Sequence, residues 1–256
     1  MPRFIVALAF GSLLVINSLS TASEPDNRLY EMRIYSAAEG KLDDLHARFR
    51  DHALKLFEKH GITNIGYWTP VDNEDRQLIF VLAYPSREAR EQSWKHFMAD
   101  PEWQQAHRAS EVKGKLVEQV VSKFLQTTDY SPTIQLDASD KRTFELRTYT
   151  TTPGNLDALH ARFRDHTVKL FENHGMTNVI YWSLTADHPA AEKTLIYILA
   201  HDSQDAAKAS FTAFRSDPVW IAARTASEAK AGGSLTAAQD GVLSQFMTAT
   251  DYSPIR

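Results

Sequence analysis

LHARFRDH occupies residues 45–52 and, letter for letter, residues 159–166. The identity does not stop there. Residues 30–68 aligned with 144–182 without a gap are identical at 24 of 39 positions. The register then slips by three residues around Asp72 and Asp187, and similarity resumes at LIFVLAY (78–84) against LIYILAH (195–201). ADPEWQQA (99–106) answers SDPVWIAA (216–223), and both copies close on TDYSP, at 128–132 and 250–254. The chain is one unit written twice. Identity between the copies therefore reports duplication as readily as chemical constraint.

Each unit reads βαββαβ. YEMRIY (30–35) is a short strand, followed by a turn at Gly40 and a helix from about Leu42 to His60, which Gly61 stops. Residues 62–69 and Gln77–Tyr84 form the next two strands. Ser86 is suited to cap a helix running to about Asp100, and Pro101 to open a further helical piece. Residues 117–125 make the fourth strand. Such a unit is a ferredoxin-like split βαβ with its first and third strands central. Its two helices cover one sheet face and leave the other apolar and bare. Two units in one chain can cover each other, so an α+β intrachain barrel, packed sheet to sheet, is expected. The boundaries are residues 24–132 for the first unit, 133–143 for a polar linker and 144–256 for the second.

Residues 1–23 are of another kind. Arg3 precedes an apolar run from Phe4 to Ile16, and Ser20, Thr21, Ala22 and Ser23 follow as small residues suited to a peptidase. The run falls short of the 18 or so residues of a membrane span, so a cleaved export signal is expected. Among the 256 residues there is no cysteine, which excludes disulfides, thiolate catalysis and Cys-based zinc sites. Export without disulfides points to a bacterial periplasm, or to secretion. The net charge of −4 offers nothing to grip nucleic acid, and no stable membrane insertion is expected once the signal is gone.

YEMRIY with Gly40, GYW (66–68), YPSREAR (84–90) and ADPEW (99–103) resemble the NIPSNAP family of dimeric α/β-barrel proteins. The second copy keeps FELRTY, Gly154, YW (181–182) and SDPVW (216–220). It departs at Ile180, where the family pattern has glycine, and at His201-Asp202 in place of Tyr84-Pro85. The resemblance covers nearly all of residues 29–254 and implies the fold. It implies roles ranging from interaction proteins to the cofactor-free monooxygenases and haem-degrading enzymes built on the same barrel.

Several residues are candidates for chemistry. On a helical wheel His46 and His60 fall within the apolar stripe of Leu42, Leu45, Phe49, Ala53 and Leu56, while Arg48, Asp51, Lys55 and Glu58 face water. His160 and His174 repeat the pattern. A buried imidazole needs a partner, which a backbone carbonyl, a carboxylate or a ligand can supply. No pair on one helix can share a metal ion: His46 and His60 stand about 21 Å apart along the axis at 1.5 Å per residue. Glu31, Arg33 and Tyr35 share one face of the first strand, as do Glu145, Arg147 and Tyr149 in the second copy. These charges must pair, as a cluster between the halves or by presenting an arginine to an anionic ligand. Tyr67 and Trp68, with Tyr181 and Trp182, put one aromatic on each strand face, as core or as ligand platform.

No GxSxG, GxxxxGK[ST], GxGxxG or HExxH occurs. No metal and no cofactor are called for by the residues. Three readings stand: a module binding a small ligand or a protein partner, a cofactor-free monooxygenase or isomerase, and a haem protein with a histidine as axial ligand. A homo-oligomer of the tandem barrel is compatible with each.

Overall fold

The computed structural model describes residues 26–137 and 141–256, so the expected signal over 1–23 lies outside the described residues. The strands are β1 (Leu29–Ala37), β2 (Thr63–Pro70), β3 (Gln77–Tyr84), β4 (Val117–Thr127), β5 (Thr143–Thr150), β6 (Thr177–Leu184), β7 (Thr194–His201) and β8 (Val242–Ala249). Within the first unit the order is β4-β1-β3-β2, and within the second β8-β5-β7-β6, all antiparallel. β2 pairs with β8 and β4 with β6, which closes one eight-stranded barrel. The expected α+β barrel of two ferredoxin-like units is what the chain forms.

Strand alternation sorts side chains to two sides of the barrel wall. Tyr30, Met32, Trp68, Val81, Phe144, Leu146, Trp182 and Ile198 point inward and fill the lumen, which is a packed core rather than a channel. The outward faces carry a second core in each half, closed by that half's helices.

The long helix expected over 42–60 is interrupted. α1 (Leu42–Arg48) and α2 (Leu54–Lys59) flank a π-helical turn at Phe49–Ala53, and α5 (Leu156–Arg162) and α6 (Val168–Asn173) flank another at Phe163–Thr167. In the second copy Thr167 Oγ1 donates to the Arg162 carbonyl at 3.1 Å, satisfying an acceptor that the wide turn displaces. α3 (Arg87–Ala99) and α7 (Gln204–Ser216) begin at Ser86 and Ser203, whose hydroxyls accept the Ala89 and Ala206 N–H groups at 3.1 and 3.0 Å. Asp100 then caps α4 (Pro101–Ser110), and Asp217 caps α8 (Pro218–Ala231).

α4 corrects one expectation. Arg48 does not face water: it is 5% exposed, because α4 lies over the side of α1 that turns away from the sheet. Its guanidinium packs over Trp103 and pairs with Glu111 at 3.1 Å.

One difference between the copies lies in the wall at Gly66. A Cβ on Gly66 would stand 2.2 Å from the Trp68 ring and 2.8 Å from Ile255, so only glycine fits there. The second copy has Ile180 at that place, itself buried in the lumen.

Candidate functional site

Glu31 is fully buried on the helix-facing side of β1. It accepts hydrogen bonds from Arg33, from Arg90 Nε and Nη2 at 3.0 Å each, from Ser122 at 2.7 Å and from Tyr84 at 3.1 Å. Burial alone would raise its pKa. The Arg90 hydrogen bonds and the Arg33 charge outweigh burial and hold the carboxyl below its ordinary range. All these partners belong to the first unit. The cluster therefore does not join the halves; it ties each sheet to its own helix layer. In the second unit Glu145 is served by Arg147, Ser244 and His201, the last at 3.1 Å.

The histidines separate into two pairs. His60 and His174 each donate from Nε2 to a helix-capping aspartate, Asp100 and Asp217, at 2.8 Å. His46 and His160 meet the TDYSP segments, and here the chain crosses over. Tyr252 of the second unit places its hydroxyl 2.8 Å from His46 Nδ1, and Tyr130 of the first stands 2.8 Å from His160 Nδ1. The Tyr67 N–H donates to Ser253 Oγ and the Tyr181 N–H to Ser131 Oγ, both at 3.0 Å. Each unit's last segment thus docks on the other unit. Burial, with the nearby Arg50 and Arg164 charges, lowers the pKa of His46 and His160. Tyr67 and Tyr181 lie in the helix–sheet cores, each bonded to an asparagine (Asn64, Asn178) and stacked on the neighbouring strand's Phe80 or Tyr197. Trp68 and Trp182 lie in the lumen.

A cleft of about 380 Å3 opens between the first sheet and its helices. Arg33, Tyr35, Phe57, Trp94, Trp103 and His107 are among its lining residues. The Arg33 guanidinium sits 4.5 Å from the centroid of the Trp94 ring, a cation–π contact, and its Nε is buried without a hydrogen-bond partner. Of the ten residues singled out from sequence, Arg33 lines this cleft. His46, His60, Tyr67, Trp68, Arg147, His160, His174, Tyr181 and Trp182 do not. Trp94 and His107 carry no local signal, because the helices that bring them to the cleft, α3 and α4, give no cue to what faces them. Trp103 enters the sequence reading only as the last letter of ADPEW (99–103). Among the described residues no group of histidines and carboxylates could hold a metal ion, and no helix is long and apolar enough to cross a membrane.

The family model of NIPSNAP matches residues 30–132 and again 144–254. No curated protein is a significant match. Among solved structures, an uncharacterized NIPSNAP-like domain protein from Burkholderia xenovorans is 21% identical over 43% of this chain and 92% of its own, with a TM-score of 0.38. A NIPSNAP family protein with unknown function from Agrobacterium tumefaciens is 21% identical over 41% of this chain and 93% of its own, also at 0.38. An anthrone oxidase-like protein is 15% identical over 90% of this chain and 94% of its own, with a TM-score of 0.58, and shares the whole two-unit fold.

Proposed function

The chain belongs to the NIPSNAP family, and on that basis we propose that it binds a small amphipathic molecule in the helix–sheet cleft of its first unit. The observation that carries this reading is the cleft's lining: aromatic walls of Phe57, Trp94 and Trp103 around the Arg33 guanidinium, in a volume that suits a ligand of one or two rings. Aromatic surface supplies affinity through burial, and a single polar group orients the guest. Export to the periplasm, expected from residues 4–16, belongs to the same proposal.

The test is a titration with N-phenyl-1-naphthylamine, a neutral probe that fluoresces when it leaves water. One probe per chain should bind. Met98→Trp and Val120→Trp place bulk at exposed positions on the cleft wall and should abolish binding while the melting temperature holds. Binding unaffected by both substitutions would sink the reading.

A second reading, turnover without a cofactor, draws on His107. Its imidazole lines the cleft, 3.7 Å from the Glu111 carboxylate, and an imidazole at such a place can act as a general base. The likeness to an anthrone oxidase-like fold suggests the assay: oxygen uptake with an anthrone, compared between the wild type and His107→Gln. Equal rates would exclude His107 as the base.

A further inference from the structure

The two halves hold the same buried Glu–Arg pair and satisfy it differently. In the second half the arginine is engaged at every nitrogen. Arg147 Nη1 reaches Glu145, Nη2 stands 3.3 Å from the Tyr149 hydroxyl, and Nε donates to the Tyr197 hydroxyl at 2.9 Å. In the first half Arg33 repeats two of these bonds, to Glu31 and, at 3.2 Å, to Tyr35. The third is missing. The residue paired with Arg33 across the sheet is Phe80, whereas Arg147 is paired with Tyr197. The poses otherwise coincide: the Arg33 guanidinium lies 4.5 Å from the Trp94 ring, and that of Arg147 lies 4.5 Å from Phe211. A buried N–H without an acceptor is unfavourable, so its persistence in only one of two copies calls for a cause.

Charge differs in the same sense. Glu31 receives Arg90 as well as Arg33, so two guanidinium groups share one carboxylate. The counterpart of Arg90 in the second half is Ala207, and the place of Tyr84 is taken by His201. The first half therefore has one arginine more and one acceptor fewer around the same pair. The other charged groups that line the cleft, Arg48, Glu111, Lys115 and Glu118, sum to zero, Arg48 pairing with Glu111 and Glu118 with Arg76 outside the lining. Arg33 borders the cleft with 12% of its side chain exposed.

We propose that Arg33 receives the acid group of an aromatic monocarboxylate, and that Phe80 is the residue that reserves it for this task. The inference rests on the cleft being the ligand site. A monoanion matches the single surplus charge of Arg33 and Arg90 over Glu31, and in a partly buried site a carboxylate gains more from a guanidinium than it would in water. The walls of Trp94, Phe57 and Trp103 take the rings. Arg33 is held at two points where Arg147 is held at three, which leaves its side chain the freedom to turn its Nε–H toward the guest. The second half, with its arginine closed by Tyr197, serves the barrel and not the ligand.

Displacement of N-phenyl-1-naphthylamine by 1-naphthoate and by its neutral isostere 1-naphthamide tests this. The acid should compete at least tenfold better than the amide. Phe80→Tyr supplies the hydroxyl that the second half already accommodates, and should bring that ratio below threefold. Tyr197→Phe, in the other half, should leave the ratio as it is. If the probe binds and acid and amide compete equally, the role of Arg33 is overturned while the cleft remains a binding site. If the ratio survives Phe80→Tyr, Phe80 is not the determinant. If the probe fails to bind at all, the cleft reading falls, and this one with it.

Discussion

The hydroxyl of Tyr252, beyond the last strand of the second unit, stands 2.8 Å from Nδ1 of His46 on the first helix of the first unit. Tyr130 and His160 repeat the contact in the opposite direction at the same distance. The two bonds form a reciprocal clasp. Tyr252→Phe should therefore cost about 1 kcal/mol, the usual net worth of one hydrogen bond, and Tyr130→Phe the same. The double variant should lose close to the sum, since the sites share no partner. Urea unfolding measures all three. By contrast Asp251→Asn, which breaks the exposed ion pair with Arg50, should change stability by no more than about 0.5 kcal/mol.

Removing the two matched arginines should have unequal effects. Arg147→Met leaves Glu145 with only His201 and Ser244, an uncompensated buried carboxylate, and should cost about 3–5 kcal/mol. Arg33→Met leaves Glu31 its two-point bond to Arg90, so the loss should stay near 1–3 kcal/mol. Thermal melts of both variants decide it. Equal losses would show that Arg90 does not compensate.

Acidification should destabilise the protein in two stages. His46 and His160 have folded pKa values below their ordinary 6.5, from burial first and neighbouring arginines second. The unfolded chain then binds protons more readily, so their contribution is complete above about pH 6.5 and is lost as the pH falls through the lower folded value. The carboxyls of Glu31 and Glu145 are also lowered in the fold, so their contribution is lost only further down, below about pH 4.5. His46→Gln with His160→Gln should remove the first stage of a melting-temperature profile and keep the second.

Export should leave a mature chain beginning near Ser23 or Glu24. The intact mass of protein recovered from the periplasm checks this, and a mass that retains Phe4–Ile16 would refute it.

The repeat makes the fold readable from sequence alone. A gapless match of strand, helix and turn residues, with one bare sheet face per unit, leaves few ways to close two units except as a barrel. Local signals also held where they act locally, as at Ser86 and Pro101, because a cap depends on its own neighbours. What sequence could not convey was which surface meets which. A wheel treats one helix at a time and leaves Arg48 in water, whereas α4 covers it. Glu31 and Arg33 were rightly seen as needing partners, but the partners Arg90 and Ser122 sit 59 and 91 positions along the chain. The crossing of TDYSP was invisible for the same reason: the motif reads identically whether it docks on its own unit or on the other.

Gly66 and Ile255 raise a matter of self-recognition. The tail that lies over Gly66 brings Ile255 into the hollow the glycine leaves, whereas the second copy has Ile180 at the matching wall position and the first unit's tail has Thr133 at the matching tail position. Bulk on the wall and bulk on the tail have changed places between the halves. Chains made of similar repeats are prone to exchange segments with the wrong partner. Here each tail is keyed to one wall, since the tail carrying Ile255 would meet Ile180 if misplaced, and Thr133 would leave the hollow at Gly66 unfilled. Such a mismatch would act as a lock and a blank cut from one template, favouring the placement in which Ile255 meets Gly66.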